Sequence, residues 1–227
     1  MFKYRFFQVI LAIAVVMLIV SSAVFISFQG VNISEAEYTS EMTGRTFETD
    51  GADGSETALT EFEAWLEYSI IVDGLKEAGN NVDFDKGNVK LCDYNLTQLR
   101  QLKKVKDEAK RMMFLSVILL IIGFLAVKKR RMYECVVWGG VAASVIGLIS
   151  LILLAVSGSG IFYGVREMVF KGRYDVFFSG DDRLIALIPD NLGLRMFLIY
   201  TGVILAGLVI TIIVRLISWR KTQPHKF

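Results

Sequence analysis

Apolar residues gather into four long runs, roughly Phe6 to Phe28, Met112 to Val127, Tyr133 to Ser157 and Met196 to Ile217. Three of them are about 20 residues or longer, enough to cross a hydrocarbon layer about 30 Å thick as helices. The second is shorter, so Lys110, Arg111, Lys128 and Lys129 at its ends must snorkel towards the interface. Between the first and second runs the pattern is that of amphipathic helices. Ser34 to Thr43 reads as a short helix, with Ser34 and Glu37 as its capping box and Gly44 as its stop. Thr60 and Glu63 open another through about Ala78, with Phe62, Trp65, Leu66, Ile70 and Leu75 as its buried stripe. Glu48 to Glu56, rich in Asp, Gly, Ser and Thr, reads as a solvated loop. Val82 to Leu91 reads as a short strand or an extended link.

The second apolar run continues an amphipathic stretch without a break, so Asn95 to Val127 is expected to form one helix that changes solvent partway. Leu96, Leu99, Leu102, Val105 and Ala109 recur at three and four, the period of one helical face. Arg100, Lys103, Lys104, Lys106, Lys110 and Arg111 make the opposite face basic, and Asn95 with Gln98 forms a candidate capping box.

Composition agrees, with 54% hydrophobic residues and only two prolines in 227 residues. Basic residues set the orientation, because Lys and Arg in short loops stay on the cytoplasmic side. Lys3 and Arg5 precede the first run, Lys128 to Arg131 fill the turn between the second and third, and Arg215, Arg220, Lys221 and Lys226 border the end of the fourth. The expectation is an all-α integral membrane protein of four transmembrane helices, with N and C termini cytoplasmic and a mainly helical extracellular cap. In order, 1–28 is the first span, 29–94 an acidic cap, and 95–127 the amphipathic helix continuing into the second span. Then 128–132 is a basic cytoplasmic turn, 133–157 the third span, 158–194 an aromatic interfacial loop, 195–218 the fourth span and 219–227 a cytoplasmic tail. Ser21-Ser22-Ala23 resembles a signal-peptidase site, but the apolar run continues past it through Phe28.

Roughly fifteen acidic residues stand against four basic ones between Gly30 and Leu99, and the next dozen residues are strongly basic. Two readings follow: charge balance within the cap, or an anion site at the membrane boundary for a phosphate or acyl-glyceryl headgroup. The acidic spacing does not fit a calcium loop, and no metal or other cofactor is expected. Cys92 and Cys135 fall on opposite sides of the membrane and cannot pair. No ionisable side chain lies deep in any span, which argues against an ion-coupled transporter. Gly139, Ala143 and Gly147 in the third run, and Gly202 and Ala206 in the fourth, suit close helix packing. The loop from Gly160 to Pro189 is too charged to span and too aromatic for an ordinary loop, so it is expected to lie among the headgroups. Asp181 or Asp182 would cap a short helix there that ends at Pro189.

Val169-Phe170, Tyr174-Asp175 and Asp182-Arg183-Leu184-Ile185-Ala186-Leu187-Ile188-Pro189 resemble the late outer loop of the lipoprotein intramolecular transacylases, four-span bacterial membrane proteins with an extracellular cap. Gln101-Leu102-Lys103-Lys104-Val105-Lys106 is similar to that family's motif entering the second span, roughly His-Leu-x-Asp-Val-Lys. The resemblance implies transfer of an acyl group from the glyceryl sn-2 oxygen of a lipoprotein to the amine of its lipidated cysteine. That chemistry needs a base and groups that steady an oxyanion. The family uses histidines, whereas the one histidine here is His225, Gln101 stands at one motif position, and Lys104 replaces the motif's Asp. Three expectations remain. The chain is a non-catalytic binder of membrane lipid or bacterial lipoprotein, an acyltransferase whose base has moved to Asp175, Tyr174 or Asp182, or a structural four-span protein. Gln101, Lys104, Lys106, Arg173 and Arg183 are the expected headgroup contacts, and no nucleic-acid partner is expected.

Overall fold

The computed structural model describes residues 2–44, 47–50, 56–77, 82–84, 86–89, 91, 93–126, 129–155, 187–189 and 191–222. They form helices α1 (Phe2–Ser27), α2 (Glu35–Met42), α3 (Glu61–Lys76), α4 (Asp93–Ala126), α5 (Lys129–Ala155) and α6 (Leu192–Thr222), with a 3-10 turn at Phe28–Val31. Three helical stretches are long and apolar enough to cross a membrane: Phe6–Val31, Tyr133–Ser150 and Leu192–Ser218. The chain divides into two compact units, one comprising Met1–Ser27, Asp107–Ser159 and Phe197–Phe227, the other Phe28–Lys106 and Gly160–Met196.

In the first unit α5 packs against α1 and α6 through glycines. A methyl group on Gly139 would lie 2.6 Å from the Ala12 carbonyl oxygen, and one on Gly147 would overlap Ile204. The expected pair on α6 is not used this way. Gly202 has open space around it and Ala206 is exposed, whereas Gly207 is buried against Ile19. Periodicity named the right kind of residue, one step off the packed face. Ser116, Ser144, Ser150 and Thr211 return their hydroxyls to the carbonyl four residues back, so these polar groups make their bonds within their own helix.

The second unit carries a departure from the all-α expectation. Strands β1 (Phe47–Asp50) and β2 (Glu56–Leu59) form an antiparallel hairpin within the stretch read as a solvated loop. Phe47 stands opposite Leu59 and Thr49 opposite Thr57 in its register, and these are β-forming residue types within an acidic stretch. Capping went as expected at α3, where the Thr60 N–H donates to Glu63 Oε2 at 2.8 Å and the Glu63 N–H returns to the Thr60 hydroxyl at 3.3 Å. At α2 the Ser34 hydroxyl accepts from the Glu37 N–H at 3.4 Å, and Gly44, at φ 83°, sits where only glycine is unstrained.

The face that α3 buries agrees with the expected one at Leu75 and in part at Trp65, which packs against the core, but not at Phe62 and Leu66. Ala64, Tyr68, Ile71, Val72 and Leu75 pack inward, whereas Phe62 and Leu66 are 50% and 40% exposed and Trp65 is half-buried. The helix is apolar on two sides, and the larger side chains drew part of the prediction to the wrong one. The segment 82–89 runs back along α3, with Phe84 beside Gly74 and the Asn88 N–H donating to Glu67 Oε1 at 2.7 Å. No strand forms among its described residues. Helix α4 begins two residues before the expected start, so Asn95 lies buried inside the helix rather than capping it. Val105, expected in the buried stripe, is 49% exposed.

Gly87 is where the buried Glu67 carboxylate comes closest to the backbone, and an added methyl group would overlap it. Gly87→Ala is expected to destabilise the chain by about 1–3 kcal/mol, because a packed group must move. Thermal unfolding of the detergent-purified protein measures this. Gly193→Ala, which meets nothing within 4 Å, is the control that should leave the melting temperature unchanged or raised.

Candidate functional site

The polar interior of the second unit is built from α2, α3, α4 and the chain leading into α6. Tyr38 and Tyr68 are buried side by side with ring centroids 5.1 Å apart. The Tyr68 hydroxyl donates to the Val31 carbonyl at 2.6 Å, and the Tyr38 hydroxyl to the Leu187 carbonyl at 2.9 Å. Burial pushes the Tyr68 phenol well above its usual range, and the neighbouring Tyr38 adds to the effect, so Tyr68 serves as a donor and not as a base. One position before Tyr38, the Glu37 carboxylate accepts from the Arg195 guanidinium, at the start of α6. Consecutive residues of α2 thus hold the chain on both sides of Pro189.

On α4, Asn95, Leu99, Lys103 and Lys106 recur at four, four and three, one face of the helix. Lys103 was expected on the exposed basic face, but it is only 3% exposed. Its ammonium donates to the Glu77 carbonyl, and the Lys106 ammonium donates to the Leu75 carbonyl at 2.6 Å. The last carbonyls of a helix have no partner within it, and its C-terminal end is the negative pole of its dipole. Two cations from α4 therefore close the end of α3.

Among the sequence-derived site residues, Gln101 and Lys104 are exposed on α4, and Lys106 is half-buried at the α3 terminus. Asp175, Tyr174, Asp182, Arg173 and Arg183 lie outside the described residues, as does the short helix expected after Asp182, apart from its end at Leu187–Pro189. Arg195 and Glu67 were not singled out, and Glu37 was read only as a capping residue of α2, whereas its carboxylate bonds Arg195. A charge in the first turn of a long apolar helix, and a glutamate between Leu66 and Tyr68, were the available signals. Among the described residues there is no histidine and no group of three side chains able to hold a metal.

No protein-family signature and no curated protein matches this chain in sequence. Solved structures do match it. The membrane integral lipoprotein intramolecular transacylase Lit from Bacillus cereus aligns with a TM-score of 0.71 at 12% identity, over 97% of this chain and 97% of that one. The chain has the fold of that transacylase. Two variants of the same Bacillus cereus protein, in which a histidine is replaced by arginine or by alanine, align with TM-scores of 0.69 and 0.68. Their identities are 11% and 13%, again over 97% of this chain, and over 93% and 96% of theirs. The transacylase fold is thus present along nearly the whole length with little of the transacylase sequence.

Replacing Lys103 with Met keeps most of the buried stem but strips the Glu77 carbonyl of its donor. A loss of about 1.5–3 kcal/mol is expected, the net worth of a hydrogen bond made by a charged group. Lys104→Met, on the exposed side, should stay within about 0.5 kcal/mol in the same thermal unfolding measurement.

Proposed function

We propose that this chain is a four-span bacterial cell-membrane protein, with both termini cytoplasmic and its cap outside, that binds membrane lipid and lipoprotein without transferring an acyl group. The observation that carries the reading is the combination of a transacylase fold over 97% of both chains with a sequence whose one histidine, His225, falls in the tail assigned to the cytoplasm. Gln101 can donate and accept hydrogen bonds but does not titrate, so it can hold a headgroup or ester without serving as a base. Lys104, Lys106, Arg173 and Arg183 are the cations assigned to the headgroup.

The second span, which completes the four, is the apolar part of α4. Phe114, Ile118, Ile121, Ile122, Phe124 and Leu125 are between 53% and 82% exposed, apolar surface that suits lipid and not water. Orientation follows from the basic turn at Lys128 to Arg131 and the basic residues around the end of α6.

One observation favours a second reading, retained acyl transfer with a carboxylate base. Glu41 Oε2 is buried with no hydrogen-bond partner among the described residues, in the same interior as Tyr38 and Tyr68. Such a group, with Asp175, Tyr174 or Asp182, could take the proton of an incoming amine.

The deciding experiment co-expresses the chain with a defined diacyl lipoprotein in a host without its own transacylase and weighs the lipopeptide by mass spectrometry. The sn-2 acyl group is expected to stay on oxygen. Its appearance on the cysteine nitrogen would overturn the binding reading, and Glu41→Gln, Asp175→Asn or Asp182→Asn should then abolish that product. Topology is checked with single cysteines in a chain lacking Cys92 and Cys135. Ser40→Cys should react with an impermeant maleimide on intact cells and Lys226→Cys, in the tail assigned to the cytoplasm, only after permeabilisation; the reverse pattern would invert the assignment.

A further inference from the structure

The first unit holds a cavity that plays no part in the reading above. It lies between α1 and α5, has a volume of about 340 Å³, and is lined by Gln8, Val9, Ala12, Glu134, Cys135 and Trp138. Each helix contributes residues at i, i+1 and i+4, the spacing of one helical face. Gly139, the residue after Trp138, brings α5 up against the Ala12 carbonyl and Val15, so the two helices are in contact where the cavity ends. Val9 and Trp138 are 57% and 71% exposed, and the cavity therefore opens sideways, onto the surface of the span that lipid covers.

One group in the lining calls for a partner. Glu134 is the second residue of the span Tyr133–Ser150, and it is the only carboxylate in the three spans and in the apolar part of α4. A carboxylate at the edge of a hydrocarbon layer is costly unless a cation meets it. Arg195, the charge at the start of α6, has Glu37 as its partner, whereas Glu134 makes no hydrogen bond or ion pair among the described residues.

The other lining residues select the cation. A primary ammonium gives a carboxylate charge-assisted hydrogen bonds, and indole is the aromatic system that attracts cations best. The Gln8 amide can donate to a phosphate oxygen. Val9, Ala12 and Cys135 make the rest of the lining apolar, which suits an amphiphile and not a hydrated ion. A single carboxylate is too little for a divalent metal, and no group of three metal-ligating side chains occurs among the described residues. An anionic headgroup would be repelled by Glu134, and a trimethylammonium has no N–H to donate.

We propose that the cavity between α1 and α5 binds a phospholipid with a primary ammonium headgroup, of the phosphatidylethanolamine kind, in the leaflet at the start of α1. The ammonium sits on Glu134 beside Trp138, the phosphate accepts from the Gln8 amide, and the acyl chains leave over Val9. The site shares no residue with the headgroup contacts proposed above and does not rest on them.

Native mass spectrometry of the full chain in detergent, titrated with dioleoyl phosphatidylethanolamine, phosphatidylcholine or phosphatidylglycerol, counts the lipids bound. The first phosphatidylethanolamine should bind about fivefold more tightly than either of the other two. Glu134→Gln, which is nearly isosteric, should erase that preference, and Trp138→Leu should reduce it by about twofold. Melting temperatures in lipid-free detergent check that both variants fold. Excess glycerophosphoethanolamine, the same headgroup without acyl chains, should not displace the lipid; displacement would make this a site for a soluble amine and overturn the lipid assignment. Gln101→Ala with Lys104→Met should leave the preference intact, and its loss there would give it to the cap. Equal binding of the three lipids would leave Glu134 to the basic residues that precede it on α5 and overturn the proposal, as would a preference that survives Glu134→Gln.

Discussion

The acidic second unit depends on two ammonium groups that reach it from α4. Helix α3 ends where its carbonyls have no partner of their own, and Lys103 and Lys106 supply the missing donors. Lys76 and Glu77 are exposed, so the two ammonium groups add fixed donors to a helix end that solvent also reaches. Lys103, Leu99 and Asn95 share the buried face of α4, whereas Val105 is exposed.

The second tie in that unit is made by α2. Glu37 and Tyr38 hold Arg195 and Leu187, residues about 150 positions later in the chain. These bonds fix the segment entering α6 with groups that are either charged or buried. Arg195 stands at the start of a long apolar helix, where a lone cation in lipid would be expensive, and the Glu37 carboxylate gives it a partner. In the first unit packing replaces bonding. Glycines on α5 let α1 and α6 come close, and hydroxyls close on their own helices, so association rests on shape.

A fold shared at 12% identity is understandable on these terms. Apolar length, small residues at helix crossings and capped helix ends can be met by many sequences, whereas a catalytic base must be one of few residue types at one place. The architecture can persist after such a base is gone.

Sequence alone determined the features governed by local chemistry. The capped starts of α2 and α3, the long α4 and the three apolar spans follow from capping residues, glycine and runs of apolar side chains, each readable within a few turns. It did not determine rotation about a helix axis. On α3, residues 62 and 66 compete with 64, 68, 71 and 72 for the core, and only packing in the cluster with Val31, Phe84 and Leu99 selects the second set. Lys103 reads as a surface charge until the end of α3 is placed beside it. The hairpin was hidden because its strands are short and acidic, and strand pairing depends on a partner several residues away. Arg195 was legible only as a charge and Glu37 only as a cap, since an ion pair between residues so distant in sequence exists only once the chain has folded.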